Sequence, residues 1–432
     1  MMDWETSFEL YLEHLCEALG HHDRESGLRG YCQGLMLPIR RKSVEPLAAR
    51  LEPEHVSARH QSLHHFVAKS EWSDMALLEQ VRRWVLPHMD PTGGLYWIID
   101  DTGFPKKGKH SVGVARQYCD QLGKQDNCQV AVSLSVATQD ASLPVSYRLY
   151  LPREWSNDPA RRQKAGVPKE IEFATKPEIA TGQLREARQS DAPDGIVLAD
   201  AGYGDDTSFR DPVSEFGLQY AVGIRSNTRV WAPGTAPLPP EPSTGKSGRP
   251  RSLLRRAPGH EPIGVKDLAS TLDASRYRSV TWREGTCAAL SSRFAAVRVR
   301  ASHRDYWRST LRDEEWLLIE WPEGDAEPLK YWLSTLPPDT TLERMVHVAK
   351  MRWRIERDYQ DLKQEFGLGH FEGRGWRGFH HHASLCIAAY GFLVAQRLVQ
   401  GDSKKNSAIR DPFALPSDYM PRGSPARATP RG

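Results

Sequence analysis

Three short stretches of the sequence carry acids of a type and setting that could bind metal ions. The apolar run LYWII is followed by Asp100 and Asp101, and the run GIVLA is followed by Asp200. A third acid, Glu356, lies in MRWRIERDYQDLKQE among several arginines. Three carboxylates, together with substrate phosphate oxygens, can hold two Mg²⁺ ions about 4 Å apart. The acids therefore suggest metal-dependent chemistry on a phosphate ester.

Each acid also has an ordinary structural interpretation. An aspartate after a strand commonly serves as a cap or turn residue. Glu356 follows Arg352 by four residues, and on a helix such an ion pair is worth only about 0.3–0.5 kcal/mol. For any one acid alone these interpretations are favoured. Two strand-end aspartates combined with the helical glutamate are what favour a site.

Strands and a helix must bring these acids together. LYWII and GIVLA are typical of buried strands, with acids at their C-terminal ends. Open α/β sheets gather their chemistry outside those ends, so we expect Asp101 and Asp200 to meet there. The segment from Thr341 to Gly367 is predicted to be one long helix. At 3.6 residues per turn, one face of this helix carries four side chains, namely Arg352, Glu356, Tyr359 and Lys363.

The remaining patterns divide the chain into five regions. The stretch CQVAVSLSVATQDASLPVSYRLYLP predicts a hairpin that pairs with the first strand. Apolar residues at helical spacing, alternating strands and Pro- and Arg-rich stretches set the expected boundaries. These are a helical region at 1–90, the first part of an α/β core at 91–225, a β-rich insertion with a Pro/Arg-rich arm at 226–338, completion of the core with the Glu356 helix at 339–400, and a disordered tail at 401–432.

Two groups of histidines could be mistaken for metal ligands. His55, His60, His64 and His65 have no carboxylate at ligand spacing, so we expect them on a helix surface. The run His380 to His382 is expected at the start of a helix, facing DNA or solvent.

Composition restricts the class of protein only loosely. The chain has 432 residues, with 26% charged and 39% hydrophobic residues, which indicates a globular protein larger than one small domain. A net charge of +3 neither demands nor excludes a nucleic-acid partner. Six scattered cysteines favour reduced thiols over disulfides or a metal cluster. No membrane-length apolar run and no secretion signal are evident, so we expect a cytoplasmic protein.

The residues around the third acid resemble a known family, the insertion-sequence transposases of the DDE superfamily. The most similar subgroup has a ribonuclease-H-like core interrupted by a β-strand insertion. Its third acid lies within a Tyr-Arg-Glu-Lys signature. Arg352, Glu356 and Lys363 match that spacing, whereas Ala349 stands at the tyrosine position.

The two aspartate motifs resemble the same family. In IIDDTG the family's acid directly precedes a small hydroxyl residue, which favours Asp101 and leaves Asp100 as the alternative. LADAGYG resembles the second-strand motif and indicates Asp200. The resemblance extends over about 90–400. It implies an α/β fold, namely a ribonuclease-H-like core with a β-rich insertion and a helical N-terminal DNA-binding region.

The resemblance also implies a mechanism and partners. Asp101, Asp200 and Glu356 would bind Mg²⁺, for which Mn²⁺ substitutes, in two-metal phosphoryl transfer at the ends of the element and then to target DNA. The partners would be double-stranded DNA, both terminal repeats and target, and a second copy of the chain on DNA, in the cytoplasm at the nucleoid. The residues expected to contact DNA are Arg352, Lys363, Lys106, Lys107 and Arg374. An aromatic of the insertion can fill a gap in the base stack, and the candidates are Trp282, Trp316, Trp321 and Trp332.

Two other functions stay open at this level. The chain could be a domesticated, inactive relative that only binds DNA, although the three intact acids argue against a pure binder. It could also be a nuclease of the same fold that never joins ends. The long helical N-terminal region and the insertion, which a simple nuclease does not need, count against this.

Overall fold

The computed structural model describes residues 3–190, 192–240, 252–283 and 289–401. The predicted disordered tail and part of the predicted Pro/Arg-rich arm lie outside these residues. Everything below concerns the described part of the chain.

The chain begins with a group of short helices, as the apolar spacing predicts. Asp3 and Ser73 cap the first and fifth helices by accepting from the N–H groups of Thr6 and Ala76. The four histidines of the 55–65 stretch lie at partly or fully exposed positions, as expected for a helix surface. The helices are α1 (Trp4–Cys16), α2 (Glu25–Met36), α3 (Val44–Leu51), α4 (Val56–Ala68) and α5 (Asp74–Val85).

One mixed sheet forms the centre of the molecule. Its strands are β1 (Tyr96–Pro105), β2 (Ala115–Cys119), β3 (Lys124–Ala137), β4 (Ser142–Leu149), β5 (Ile196–Ala199), β6 (Tyr220–Ile224), β7 (Arg229–Trp231), β8 (Ile263–Gly264), β9 (Arg278–Arg283), β10 (Leu290–Ala301), β11 (Glu315–Glu320) and β12 (Lys330–Ser334).

The strand order confirms the predicted fold class. β3 pairs antiparallel with β1 and with β4, which confirms the predicted hairpin. β5 pairs parallel with β1, and β6 parallel with β5. The order β4-β3-β1-β5-β6, with three antiparallel strands followed by two strands parallel to β1, is that of a ribonuclease-H-like core.

Helices connect and cover this core. A capping box between Thr175 and Glu178 starts α8, which crosses from β4 to β5, and α10 crosses from β5 to β6. The helices of this part are α6 (Arg153–Ser156), α7 (Pro159–Ala165), α8 (Lys176–Gln189), α9 (Ala201–Gly204) and α10 (Thr207–Glu215). Those further along are α11 (Val265–Thr271), α12 (Leu342–Lys350), α13 (Trp353–Gln364) and α14 (Trp376–Gly401).

The β-rich stretch between β6 and α12 extends the core sheet. β12 pairs antiparallel with β6, and β11 and β10 follow in turn. A buried polar group fastens this extension to the core: Glu315 of β11 accepts from Arg210 of α10 at 3.2 Å and from Tyr220 of β6 at 2.6 Å. Insertion and core therefore share one continuous hydrogen-bonded sheet.

The long helix expected from Thr341 to Gly367 is two helices, and that prediction was wrong. Thr341 does cap the first of them, α12. At the junction the N–H groups of Arg354 and Ile355 bond to the carbonyls of Met351 and Arg352. These bonds span three residues, as in a 3₁₀ turn. The tighter turn separates α12 from α13.

The acids of β1 do not lie at the end of their strand, which corrects a second expectation. β1 runs on to Pro105, and β3 pairs with it along the whole length. Its parallel partner β5 reaches only Ile98. Because β5 ends early, Asp100 and Asp101 lie beyond its pairing with β1, on a part of that edge that β5 does not cover.

The triple histidine is buried, which contradicts the expectation that it faces DNA or solvent. His380 Nε2 accepts from the N–H of Leu149 in β4 at 3.2 Å. His382 bonds to the Tyr31 hydroxyl of α2 through Nδ1 at 2.9 Å and to the carbonyl of Gly367 through Nε2 at 3.0 Å. These residues instead join α14 to the sheet and to the N-terminal helices.

Helix α14 also corrects the expectation that no apolar segment of membrane length exists. Its 26 residues are long and apolar enough to cross a membrane by length and composition, and 72% of its apolar window is buried within the described structure. It packs against α2, α4, α5 and β4. This is the environment of a core helix.

Candidate active site

A chain of three charged side chains joins β1 to α13. Arg352 donates from Nη1 to Asp100 Oδ2 at 2.6 Å and from Nη2 to Glu356 Oε1 at 2.9 Å. The side chain of Asp100 is 15% exposed, that of Arg352 27% and that of Glu356 62%. One guanidinium thus bridges a largely buried carboxylate and a solvent-facing one.

Asp200 lies beside this bridge, on the neighbouring strand. Ile98 of β1 pairs with Leu198 of β5, so Asp100 and Asp200 each lie two residues beyond the same pair. In parallel strands an equal offset gives the same face. Asp200 ends β5 and caps α9, accepting from the N–H of Gly202 at 2.8 Å. Both carboxylates therefore point toward one place at the sheet edge.

The environment of Asp100 disfavours its charged form. Burial raises the pKa of Asp100 to about 7; the Arg352 guanidinium opposes the rise, while the nearby carboxylates of Asp200 and Asp101 add to it. A divalent cation would stabilise the charged form of a carboxyl group that lies near two other carboxylates.

Asp101 points to the opposite face of the sheet. Its Oδ2 receives Lys176 Nζ of α8 at 2.5 Å, and its Oδ1 accepts from the Tyr203 hydroxyl at 3.3 Å. Because successive side chains of a strand alternate between faces, Asp100 and Asp101 cannot both face α13. The structure thus brings Asp100, Asp200 and Glu356 around Arg352 and pairs Asp101 with Lys176.

The face of α13 toward the sheet is anchored by polar contacts. The Tyr359 hydroxyl lies 2.5 Å from Ser133 Oγ of β3, and Asp358 accepts from Ser142 at 2.5 Å and Tyr390 at 2.8 Å. Lys363 lies further along, 3.5 Å from Asp120 and above the Phe104 ring. Tyr359 and Lys363 remain neighbours, as the helical period predicts, but Lys363 does not join the Arg352 bridge.

The other basic residues predicted to contact DNA occupy a different region. Lys106 Nζ donates to the carbonyl of Phe371 at 3.3 Å, and burial lowers its pKa. Lys107 and Arg374 are exposed, and the carbonyl of Arg374 accepts from Val112. These three gather near the turn before α14.

A cavity of about 880 Å³ opens onto two of the acids, Asp200 and Glu356. Its core wall includes Asp200, Arg352 and Glu356, and the insertion supplies the facing wall. Sequence reasoning missed most of its lining, because the basic and aromatic side chains come from separate strands and turns. The additional lining residues that matter below are Arg225, Trp282, Lys330, Trp332, Lys350 and Trp353.

Two tryptophans in this cavity are flanked by cations. Lys350 Nζ lies 4.1 Å from the Trp282 ring, and its ammonium is held by Glu320 at 2.7 Å. Trp353 lies against the guanidinium of Arg283 at 4.0 Å and that of Arg354 at 4.4 Å. Of the predicted aromatics, Trp282 and Trp332 line the cavity.

The two other predicted aromatics have different positions. Trp316 donates to the carbonyl of Pro337 and Trp321 to that of Asp325. Neither is among the residues that line the cavity.

Comparison with known proteins shows the family. The DDE superfamily endonuclease family matches residues 14–289, more than half of the chain. The chain belongs to the DDE superfamily endonucleases. The match includes both strand aspartates of the site and ends before Glu356. It supports family membership, whereas the position of the third acid in the site rests on the geometry alone.

Two individual proteins are similar to this DDE superfamily endonuclease. A probable transposase for insertion sequence element IS701 from Microchaete diplosiphon is 32% identical over 198 residues, which are 46% of this chain and 48% of that protein. The aligned part thus spans about half of the relative. A piggyBac transposase in a synaptic complex with hairpin DNA, solved by cryo-EM, is similar with a TM-score of 0.44 and 9% identity, covering 90% of this chain and 68% of that one.

Proposed function

We propose that this DDE superfamily endonuclease is a DNA transposase that cuts at the ends of its insertion sequence and joins them to target DNA. The observation that carries the proposal is the Arg352 bridge between Asp100 and Glu356, beside Asp200 and open to a cavity with basic walls. The named relative, a probable transposase, points the same way.

The proposed metal ligands are Asp100, Asp200 and Glu356. Their carboxylates are hard oxygen donors around one place, and Asp100 is a buried acid whose anion needs positive charge. This choice replaces Asp101, which the sequence favoured, since Asp101 already pairs with Lys176 on the other face. When bound, Mg²⁺ or Mn²⁺ would supply Lewis acidity for a phosphodiester attack and for the departing 3′ oxygen.

Arg352 has the central role among the remaining residues. Its guanidinium neutralises Asp100 and Glu356 as the site stands. Once other cations neutralise these acids, the guanidinium can donate two parallel hydrogen bonds to a phosphate. Arg225, Lys330 and Lys350 line the same cavity and would meet the DNA backbone nearby. Lys363, Lys106, Lys107 and Arg374 would contact DNA outside the cavity.

The aromatic wall fits a displaced base. Trp282 and Trp332 line the cavity, and an indole face offers stacking to any base. We propose these two, rather than Trp316 or Trp321, as the aromatics that receive an unstacked base near the cut.

The assembly on DNA is part of the same proposal. Cutting two ends requires two sites, so we propose that two copies act together on double-stranded DNA, with residues 1–90 contacting the terminal repeats. Cutting and joining of DNA would take place at the nucleoid. A pure DNA-binding role is less supported, because the carboxylates of Asp200 and Glu356 in the cavity wall would repel phosphates unless a cation neutralised them.

The test is cleavage of DNA carrying the element's ends, with Mg²⁺ and with EDTA. Wild type should cut at the ends and join the 3′-OH to target only with metal, and Glu356→Ala should do neither. Glu365→Ala is the matched control, because Glu365 is an exposed acid at the end of the same helix. Cutting without joining would support the nuclease alternative, and binding without cutting would support the inactive binder.

A further inference from the structure

Exposed hydrophobic side chains concentrate in one loop of the insertion. Residues 302–312, here called the aromatic loop, follow β10 and contain Tyr306, 45% exposed, Trp307, 61% exposed, and Leu311, 46% exposed. Leu253, also exposed, lies on the adjoining segment, where Leu254 donates to the carbonyl of Arg308. Large apolar side chains in water are costly when clustered, and such clusters commonly mark an interaction surface.

The aromatic loop is held rigidly. Asp305 is 2% exposed and accepts from Trp231 Nε1 at 2.7 Å and from Arg256 Nη2 at 2.8 Å. Arg304 has a φ of 55°, a left-handed conformation that non-glycine residues rarely adopt and that costs about 1–3 kcal/mol. The anchored Asp305 and the left-handed Arg304 therefore hold the backbone of the loop next to Tyr306 and Trp307.

Arginines surround these rings, and several of them pair with acids. Residues 252–256 and 302–312 contain five arginines; Arg256 pairs with Asp305, and Arg308 and Arg312 pair with Asp211. Arg304 is exposed at the surface. Arg304 lies 5.2 Å from the Trp307 ring, and Arg256 lies 5.3 Å from the Tyr306 ring. Rings and guanidiniums thus form one mixed patch.

The aromatic loop is connected to the acid site through α10. His303 Nδ1 lies 2.7 Å from Thr207 Oγ1, and Thr207 begins α10, seven residues after Asp200. The intervening Asp205 bonds to the N–H of Arg225, which lines the cavity. The aromatic loop and the cavity wall are thus both hydrogen-bonded to the short segment from Asp205 to Thr207.

We propose that the aromatic loop is a second DNA contact, separate from the metal site, in which Arg304 meets a phosphate and Trp307 packs on a base or sugar. The proposal rests on the proposed DNA transposase function. Phosphate fits the exposed guanidinium of Arg304, and base stacking fits the exposed ring of Trp307 beside it.

The test is equilibrium binding to a fluorescently labelled duplex of mixed sequence, measured in full-length protein at several salt concentrations. Trp307→Ala should weaken binding about tenfold with an unchanged salt slope, because stacking releases no counterions. Arg304→Gln should reduce the slope by about 0.9, which is the contribution of one phosphate contact. Met75→Ala, equally exposed at 61% but on α5, and Arg276→Gln, exposed in the insertion, are the controls.

The outcomes separate this inference from the proposed function. If wild type binds and cuts DNA while both loop variants bind like the controls, the aromatic loop is not a DNA contact and the transposase proposal stands. If Trp307→Ala changes only the oligomeric state, the patch is a protein interface and the inference is overturned. If wild type binds no duplex, the proposed function fails and this inference fails with it.

Discussion

The adjacent acids Asp100 and Asp101 lie on opposite faces of β1 and therefore contact different residues. Asp100 contacts Arg352 beside α13, whereas Asp101 contacts Lys176 of α8. The two are chemically identical and differ only in the face to which the strand turns them. Their roles should therefore be separable by single substitutions.

We expect Mn²⁺ to raise the melting temperature of wild type and of Asp101→Asn, but not that of Asp100→Asn. A ligand that binds only the folded state stabilises it, and Asp100→Asn removes a carboxylate from the proposed cation site. Thermal unfolding with and without Mn²⁺ measures this directly, independently of DNA cleavage. The opposite pattern, with the metal effect lost in Asp101→Asn alone, would return the first-ligand role to Asp101.

The sequence predicted only part of this site, and the reason is physical. Acid types and spacing identified Asp200, Arg352 and Glu356, which the structure brings together around one place. The choice between Asp100 and Asp101 depends on which face of β1 meets α13. That follows from tertiary packing, because an alternating pattern fixes two faces but not which partner covers each.

Helix α14 packs against the N-terminal helices and against the sheet. Its long apolar character was not predicted from the sequence, and its three histidines were expected at the start of a helix, facing DNA or solvent. Each ring of His380 and His382 instead has one donor and one acceptor contact that a neutral imidazole can satisfy. The specific partners come from distant elements, which a local pattern does not contain.

Folding stability should fall as the pH drops below 7, with His382 as one cause. Burial lowers the pKa of His382 to about 4, from an ordinary value of 6.5. Between pH 7 and 5 the His382 side chain becomes protonated in the unfolded chain but stays neutral in the folded one. This group alone should therefore lower the free energy of unfolding by about 2 kcal/mol over that range. Chemical unfolding across this range should show a shallower pH dependence in His382→Gln. Exposed His22→Gln should keep the wild-type slope, and equal slopes in all three proteins would contradict this assignment.

The insertion and the core form one sheet rather than two independent units. The sequence indicated β strands in the insertion from their alternation, but not that β12 pairs with β6. Such pairing joins segments more than a hundred residues apart in the sequence. The buried contact between Arg210 and Glu315 belongs to the same joint.

Glu315→Ala should destabilise the entire molecule. It leaves the guanidinium of Arg210 buried without its carboxylate, at a cost of roughly 3–5 kcal/mol. Because the sheet is continuous, thermal unfolding should stay a single transition at a lower temperature. Glu327→Ala is the control within the insertion, since its pair with Lys266 is solvent-exposed and worth under about 1 kcal/mol. A separate early transition in Glu315→Ala would show that the insertion unfolds alone.

The position of α14 near the end of the sequence also determines when the N-terminal helices can complete their packing during synthesis. The first helices of the chain, α2, α4 and α5, pack against residues 376–401, which a ribosome makes only after everything between them. Until those residues emerge from the ribosome, the apolar faces of α2, α4 and α5 are either exposed to water or bound by a chaperone. A chain truncated before α14 would therefore leave the apolar faces of α2, α4 and α5 uncovered, so the N-terminal helices should not form a stable fragment by themselves.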